Sequence, residues 1–483
     1  MSAVELSLSV VLDESTGQEQ VAAKLAAAQD RLEVGSGQPS GSPKKDIAPA
    51  RPISVGAPAG EIQLVELGEP SRPAERASVD VETKVKSIHT AAAQGRQKTP
   101  TFAFVNGRAG GGQGLQAIKV IGEVLGKDRV YNLNDLAKQN TTLDQVLARL
   151  LAKSQAPETK EGTRPDPVVV IAAGGDGTVN WVMNSLIAVQ DEIVPFVVVP
   201  LPYGTGNDLH RAFGWGSAAP SASKLKKLVM SSQIPDSTWT NGSAHLDTWE
   251  LMTTKCKGKS NKMQNYFSIG LMADMALGVD NYRNNHPKLT KSRPMMKNVY
   301  AAVGAKKLAV RNPRVGAYVE RLLIDGQDVP VPSTVKDIIV LNIPSMISGM
   351  SPWRTAKSPS GPLDADFVDD GKVEVLFAFN LTSSLARFQW QKMRNGCGCC
   401  GEQPRHWAKT SVLQQVGQGS SIKIVFKQSV SEKMAAQVDG EPWLFDTQGE
   451  AFEITSSANC PMRFGPTHRK GRVGVYGMST MWS

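Results

Sequence analysis

Three units of strand, glycine-rich turn and helix dominate the sequence between residues 102 and 212. Each unit begins with an apolar run, and these runs occupy residues 102–106, 168–173 and 197–201. Helical patterns follow at 115–125, 178–189 and from 207 onwards, with a further one at 143–151. Continuous apolar runs are typical of strands that are buried on both faces. The repetition predicts an α/β domain over residues 99–243, with a parallel sheet and helices on both of its faces.

The pattern changes after about residue 243, where long helical patterns become rare. Short β-like segments take their place at 338–343, 373–379, 422–426 and 452–455. Strands at irregular spacing without intervening helices are typical of antiparallel sheets. We therefore predict a second, mainly antiparallel β domain over residues 244–460.

Both ends of the chain differ in composition from its centre. None of the 13 Phe, nine Trp and seven Tyr residues precedes Phe102. A segment without aromatic rings, rich in Ala, Ser, Gly, Pro and Glu, cannot bury enough apolar surface to form a packed core. We expect residues 1–98 to be a disordered low-complexity tail and residues 461–483 to be a basic, glycine-rich tail.

The formal net charge is +9 at pH 7, and the excess lies in the folded part of the chain. Residues 1–98 carry 11 Lys and Arg against 13 Asp and Glu, so the positive charge does not come from a basic arm. A folded region with a net positive charge is suited to binding nucleotides, anionic membrane surfaces or nucleic acid.

The cysteines do not form a pattern typical of disulfide-bonded proteins. They are Cys256, Cys397, Cys399, Cys400 and Cys460, an odd number with three nearly adjacent. We interpret the 397–400 cluster as a loop with exposed thiols, and palmitoylation or a partial metal site with His406 as less favoured alternatives. Because the sequence also lacks a signal peptide and a run of about 18 apolar residues, it predicts a cytoplasmic protein.

The glycine-rich turns offer backbone N–H groups that can close around phosphate oxygens. We call residues 106–114, 173–178 and 201–209 the first, second and third glycine loops. The first loop matches neither the P-loop nor the dinucleotide-binding motif. In the second loop, glycines flank Asp176, which favours a carboxylate that faces a ligand over one that only caps a helix. In the third loop, Thr205 and Asn207 can donate to phosphate or ribose oxygens.

In this order, the loops resemble those of the catalytic domain of eukaryotic diacylglycerol kinases. The matching stretches include 173–178, 204–209, 213–216, 245–249, 265–270 and 437–443, which read AGGDGT, GTGNDL, FGWG, HLDTW, NYFSIG and QVDGEPW. The resemblance covers about residues 100–456. Since five cysteines cannot build a pair of C1 zinc fingers, the compact plant and protist members are the most similar form.

The resemblance implies that the chain transfers the γ-phosphate of ATP to 1,2-diacyl-sn-glycerol, giving phosphatidic acid, in a cleft between a catalytic and an accessory domain. Asp176 and Asp208 match acids that hold Mg²⁺ or orient the phosphates. The expected nucleotide contacts are Asn106, Gly110, Gly111, Gly112, Gly174, Gly175, Gly177, Thr178, Thr205, Gly206, Asn207 and Asp208. ATP and Mg²⁺ are the implied cofactors.

The resemblance also implies a catalytic role for Asp176, Asp247 and Glu441. Asp247 matches an acid that faces the lipid hydroxyl, and Glu441 matches the proton acceptor of bacterial relatives. A carboxylate that accepts the proton of a primary alcohol typically speeds the reaction by about 10²–10⁴-fold. The sequence leaves open whether Asp176 or Glu441 has this role.

A structural metal site is implied on a separate segment of the second domain. Asp370 matches an acid that binds Mg²⁺ together with two backbone carbonyl groups. By position, these carbonyls would belong to Phe367 and Lys372.

Three other functions are compatible with parts of the sequence. A sphingosine- or ceramide-type lipid kinase would differ in pocket shape, which the sequence does not show. A catalytically weak nucleotide- or lipid-binding scaffold is mildly favoured by the first loop, where Gly107 and Ala109 stand in place of the family's usual Pro and Ser. Nucleic-acid binding rests on the basic charge alone and no motif supports it, so we predict none.

Diacylglycerol lies in membranes, so we expect reversible peripheral binding of the cytoplasmic protein to anionic membrane surfaces. Basic clusters at 255–262, 288–297 and 306–314 could each supply about 1 kcal/mol of attraction per charge. Each cluster taken alone is also compatible with an ordinary solvated surface. The sequence does not predict acyl-chain preference, regulators or oligomeric state.

Overall fold

The computed structural model describes residues 99–136, 141–152, 167–234, 241–256, 261–286, 314–356, 367–379 and 413–466, with single positions at 138, 239, 299, 302 and 303. These residues fall in one compact unit that spans Lys84–Ser483. The predictions for the N-terminal tail, the 397–400 cysteine cluster, His406, the basic cluster at 288–297, all but the last residue of the basic cluster at 306–314, and the tail from residue 467 lie outside the described residues.

The first domain contains a parallel sheet, as the repeated units predicted. Its strands are β1 Thr101–Val105, β2 Val130–Asn132, β3 Val168–Gly174 and β4 Phe196–Pro202, in the order β2-β1-β3-β4. Its helices are α1 Gln113–Leu125, α2 Leu133–Leu136, α3 Leu143–Ala152, α4 Asp176–Ala188, α5 Asp208–Ala212 and α6 Ala222–Ser232. Every residue of β3 and β4 is buried, because α1 packs with α6 and α3 with α4 over the sheet.

The second domain is mainly antiparallel, which confirms that part of the fold prediction. Its strands are β5 Ser243–Thr253, β6 Lys262–Met263, β7 Tyr266–Gly270, β8 Val319–Ile324, β9 Gln327–Val329, β10 Asp337–Leu341, β11 Val373–Ala378, β12 Leu413–Gly419, β13 Ser421–Phe426, β14 Lys433–Val438, β15 Glu441–Asp446 and β16 Ala451–Arg463. Six of them form an antiparallel sheet in the order β12-β11-β10-β7-β14-β15. Apolar side chains from this sheet and from β5, β8, β13 and β16 share one core, so the two sheets stack face to face.

One long strand connects the two domains. β16 pairs with β5 and β13 in antiparallel register, and its Met462 pairs with Val198 of β4 in parallel register. The first sheet therefore continues into the second domain. β16 also extends beyond the boundary predicted at residue 460, because Cys460, Met462 and Phe464 are buried in the core of the first domain. Residues 461–466 thus belong to the packed structure and not to a tail.

Among the described residues of the second domain are the helices α7 Leu271–Asn285 and α8 Pro352–Thr355. The sequence did not predict α7. Its first turn is fixed by Asp337 of β10, whose Oδ1 accepts a hydrogen bond from the Met272 N–H at 2.6 Å. Leu271 and Met272 pack against the antiparallel sheet. In the described part of the chain, none of the helices is sufficiently long and apolar to span a bilayer.

Candidate active site

The three glycine loops meet at one edge of the parallel sheet, since each follows the carboxyl end of a neighbouring strand. The Asn106 amide nitrogen donates to Thr178 Oγ1 at 3.2 Å, which joins the first loop to the second. The N–H groups of Tyr203 and Gly204 both donate to the Gly174 carbonyl, at 2.7 and 3.1 Å, which joins the second loop to the third. The structure therefore brings together the loops that the sequence singled out.

Two glycines are required because the loops approach each other so closely. A Cβ on Gly174 would overlap the Thr178 side chain, and one on Gly204 would overlap the backbone of Gly175. A Cβ on Gly112 or Gly177, by contrast, would meet open space. The backbone at these last two positions is therefore exposed, as a phosphate-binding role requires.

Asp176 is the first residue of α4 and is held by three donors from α5. Its Oδ2 accepts from the Asp208 N–H at 3.1 Å, and its Oδ1 accepts from the Leu209 N–H at 3.1 Å and from His210 Nδ1 at 3.2 Å. Burial alone would raise the pKa of Asp176, but the hydrogen bonds from His210, Asp208 and Leu209 lower it below its ordinary value. Asp176 is therefore a carboxylate at neutral pH.

Asp208 faces the second domain. Its Oδ1 accepts from Ser345 Oγ at 2.7 Å and from the Gly349 N–H at 2.8 Å, and its Oδ2 accepts from the Ser348 N–H at 3.0 Å. Burial and the neighbouring charge of Asp176 raise the pKa of Asp208. We predicted Asp208 as a nucleotide contact, but in this structure both of its oxygens join the two domains.

The remaining predicted residues of the third loop differ in their accessibility. Thr205 is exposed, as a phosphate donor would be. Asn207 is fully buried, with its Oδ1 accepting from the Gly204 N–H and its Nδ2 donating to the carbonyls of Gly204 and Ser217, at 2.9 to 3.0 Å. The Asn207 side chain therefore shapes the loop, and its donor groups are already engaged within the protein.

Asp247 on β5 lies against the turn that precedes β11. Its Oδ2 accepts from the Gly371 N–H at 2.8 Å, and its own N–H donates to the Val368 carbonyl at 3.0 Å. Burial raises the pKa of Asp247 to about 6, and the charges of Asp370 and Asp369 add to this effect. Asp369 and Asp370 are therefore close enough to Asp247 for their charges to act on its carboxyl group.

This turn also contains the predicted metal-binding residues. Phe367, Asp370 and Lys372 lie within six residues, and the Asp370 carboxylate accepts from the Lys372 N–H at 3.1 Å. In the described ranges, no cluster of three or more His, Cys, Asp or Glu side chains could hold a metal ion. A site with one carboxylate and two carbonyl groups does not need such a cluster, so the assignment stays a prediction.

Asp439 is a residue whose role the sequence did not identify. It lies in the tight turn between β14 and β15, where Asp439 and Gly440 both have positive φ angles, as the Asp-Gly pair of a hairpin turn does. Its carboxylate accepts hydrogen bonds of 2.8 to 2.9 Å from Asn180 Nδ2 and from three backbone N–H groups, those of Gln264, Asn265 and Tyr266. Burial raises the pKa of Asp439 to about 7.

The Asp439 contact attaches the hairpin turn to the first domain. Asn180 lies one helical turn after Asp176 on α4, and the turn that it contacts continues directly into Glu441. The Glu441 side chain is exposed. The predicted proton acceptor therefore lies on a segment that is docked against the helix that begins with Asp176.

His210 is the second residue that sequence analysis missed. Its side chain is fully buried, and its Nε2 has no hydrogen-bond partner in the described part of the structure. No motif singled it out, because a histidine two positions after Asp208 is not part of any known pattern. Its contact with Asp176 forms only in the folded protein.

Two family descriptions match the two domains. Residues 100–235 match the diacylglycerol kinase catalytic domain, and residues 262–442 match the diacylglycerol kinase accessory domain.

Curated proteins of plants and animals are similar over most of the described chain. Diacylglycerol kinase 1 of Arabidopsis thaliana is 29% identical over 304 residues, which are 61% of this chain and 38% of that protein. The eye-specific diacylglycerol kinase of Drosophila melanogaster is 30% identical over 67% of this chain and 21% of its own length. Diacylglycerol kinase 4 of Arabidopsis thaliana is 26% identical over 72% of this chain and 77% of its own length. The chain thus spans well under half of the first two relatives and about three quarters of the third.

Proposed function

Since the chain belongs to the diacylglycerol kinase family, we propose that it transfers the γ-phosphate of ATP to the free hydroxyl of a 1,2-diacylglycerol, giving phosphatidic acid. One observation carries the proposal. Asp176, an ionised carboxylate, lies where the three glycine loops meet, and the accessory domain docks on the same helix through Asp439 and Asn180. A triphosphate bound to the loops would therefore point into the cleft between the domains.

Phosphoryl transfer requires positioning and charge neutralisation more than covalent participation of the protein. The accessible backbone at Gly112 and Gly177 and the exposed hydroxyl of Thr205 are suited to holding phosphate oxygens. The N-terminal end of α4 adds its partial positive charge at Gly177. These groups would fix the nucleotide so that the lipid hydroxyl can approach in line.

Glu441 is the better candidate for the proton acceptor. The Asp176 oxygens already accept three hydrogen bonds from the protein, and its lowered pKa makes it a weak base. Glu441 is exposed on the docked hairpin and is free to approach a lipid hydroxyl. We assign proton acceptance to Glu441, orientation of the phosphates to Asp176, and a contact with the lipid hydroxyl to Asp247.

A magnesium ion fits the turn beside Asp247. Oxygen ligands are those that Mg²⁺ prefers, and the neighbouring carboxyl groups that raise the pKa of Asp247 form an acidic environment that a cation would relieve. The Asp370 carboxylate and the carbonyls of Phe367 and Lys372 would hold it. When bound, Mg²⁺ supplies positive charge, which in this turn would stabilise the fold and elsewhere would neutralise the phosphates.

Peripheral membrane binding follows from the substrate and the positive charge of the chain. In the cluster at 255–262, Lys255 Nζ donates to the Gln448 carbonyl at 2.6 Å and Lys262 Nζ to Ser457 Oγ at 2.9 Å. Lys262 Nζ also lies 3.8 Å from Glu250 Oε2, so its charge is compensated within the protein. We therefore base the proposal on the net charge of +9 and not on this cluster. Sedimentation with anionic vesicles should decrease as salt increases; sedimentation that is insensitive to salt would contradict an electrostatic contribution.

The substrate assignment can be tested with purified protein, MgATP and mixed micelles that contain diacylglycerol, sphingosine or ceramide. We expect phosphate transfer to diacylglycerol and little to the other two lipids. Transfer to sphingosine or ceramide alone would overturn the substrate assignment. Binding of ATP without transfer to any lipid would overturn the kinase assignment and favour a scaffold.

A further inference from the structure

The hydrogen bonds to Asp176 are unevenly divided between its two oxygens. Oδ1 accepts two, from the Leu209 N–H and from His210 Nδ1, whereas Oδ2 accepts one, from the Asp208 N–H. A Cβ added to Gly206 would lie 3.3 Å from Oδ2, which places this oxygen beside the third glycine loop. Oδ2 is therefore the oxygen with spare acceptor capacity, and it is directed towards the loops.

The backbone donors alone do not fix this arrangement. The terminal torsion of an aspartate is broad and nearly two-fold, so a carboxylate held by one donor on each oxygen retains freedom to tilt. A third donor that is itself immobile removes that freedom. His210 meets this requirement, because its ring is fully buried within the packed first domain.

We propose that His210 is a positioning residue for Asp176, whose Nδ1–H holds Oδ1 and thereby keeps Oδ2 directed towards the glycine loops. The inference rests on the proposed function, because it assigns to Oδ2 the contact with the metal ion that would accompany the bound phosphates. His210 does not touch the substrate. It influences the reaction only by orienting the Asp176 carboxylate.

His210 would act by pre-organisation, because it holds the Asp176 carboxylate in its reactive orientation before the substrates bind. A misplacement of a catalytic group by about 1 Å can cost about 10²-fold in rate, even when the change lies away from the reacting atoms. Hydrogen bonds that fix the orientation of a carboxylate therefore affect the rate of the reaction much more than the binding of the substrate. Loss of His210 should therefore lower kcat more than it raises KM for ATP.

The first experiment compares His210→Ala, His210→Asn and a control, His286→Ala, in the full chain. Asn can place an amide N–H near the position of Nδ1, whereas Ala cannot. His286 is a half-buried histidine at the end of α7 that bonds the Tyr282 carbonyl within its own helix. Steady-state kcat and KM for ATP are measured with diacylglycerol micelles, and denaturation midpoints show that each variant is folded.

We expect His210→Ala to lose about 10–100-fold in kcat with KM for ATP within about threefold. His210→Asn should recover several-fold of that loss, and His286→Ala should match the wild type. Wild-type kcat in His210→Ala would overturn the positioning role, as would an Asn variant no better than the Ala variant.

The second experiment has a readout that does not depend on activity. In protein labelled with ¹⁵N-histidine, the His210 signal, assigned by its loss in His210→Asn, should show a proton bound to Nδ1. Asp176→Asn should shift this signal more than any other histidine signal. A bare Nδ1 in the wild type, or no shift in Asp176→Asn, would overturn the inference. Failure of the proposed function is recognised separately, as a wild-type protein that transfers no phosphate to diacylglycerol.

Discussion

Two aspartates join the domains, and they do so in opposite ways. Asp208 belongs to the first domain, and all three donors to its side chain, from Ser345, Ser348 and Gly349, belong to the second. Asp439 belongs to the second domain, where three of its four donors also lie, and only Asn180 comes from the first. Asp208 is therefore mainly a contact between domains, whereas Asp439 mainly organises its own domain.

The partners of the two residues differ in strain as well as in origin. Ile347 and Ser348 beside the Asp208 contact have φ angles of 47° and 65°, which non-glycine residues rarely adopt. By accepting from the Ser348 and Gly349 N–H groups, Asp208 stabilises this unfavourable loop conformation. From the comparison we expect that loss of Asp439 mainly lowers stability and that loss of Asp208 mainly disturbs the candidate active site.

Asp439→Ala should have the largest effect on stability. The substitution leaves four donors without their common acceptor, so we expect the free energy of unfolding to fall by about 3–5 kcal/mol. Urea denaturation measures it. Asp446→Ala, which removes an exposed acid from the same hairpin, should have a far smaller effect. Equal losses in the two variants would contradict the role given to Asp439.

Asp208→Ala should lower the free energy of unfolding less, by about 2–3 kcal/mol, because three donors lose their acceptor instead of four. Its effect on catalysis should be larger, since the backbone N–H groups of Asp208 and Leu209 hold Asp176. We expect kcat to fall at least tenfold under conditions where the variant is fully folded. A stable variant with normal kcat would show that the contact does not influence the active site.

The pH dependence of stability should separate Asp439 from Asp247. Burial raises the pKa of Asp439 to about 7 and that of Asp247 to about 6, so the folded state retains these protons to higher pH than the unfolded state. The free energy of unfolding should therefore fall as pH rises from about 4 through these values. Asp439→Asn should remove the decrease in unfolding free energy between about pH 4 and pH 7 that Asp439 causes. Asp247→Asn should remove the decrease that Asp247 causes between about pH 4 and pH 6. An unchanged slope in Asp439→Asn would contradict the assignment.

The smallest effects should come from the single side-chain donors. Ser345→Ala and Asn180→Ala each remove one hydrogen bond to a carboxylate, and each should cost about 1–2 kcal/mol of unfolding free energy. In double-mutant cycles, the coupling energy between Ser345 and Asp208 should exceed about 0.5 kcal/mol. The coupling energy between Ser345 and Asp439 should be smaller than this value. Coupling of Ser345 to Asp439 would show that the two contacts act as one.

The sequence predicted the features that depend on local patterns. The apolar runs identified β3 and β4, and the glycine-rich turns identified the loops in which Asp176 lies. The use of Asp208 could not be predicted, since its partners lie 137 to 141 positions away and two of them are backbone N–H groups.

Two other features depended equally on distant packing. β16 joins the first sheet through its last residues, which resembled a tail because the basic, glycine-rich composition begins just after them. His210 contacts Asp176 only because α5 packs against the start of α4. Motif order thus predicted that the glycine loops lie together, whereas the contacts that hold the candidate site together required the fold.

The central claim is that Asp176, at the meeting point of the glycine loops, serves phosphate transfer to diacylglycerol. The most direct measurement follows γ-³²P from ATP into phosphatidic acid for the wild type and for Asp176→Asn, with both denaturation midpoints recorded. We predict transfer by the wild type and at least about 100-fold less by a folded Asp176→Asn protein. A folded Asp176→Asn protein that transfers phosphate at the wild-type rate would contradict the claim.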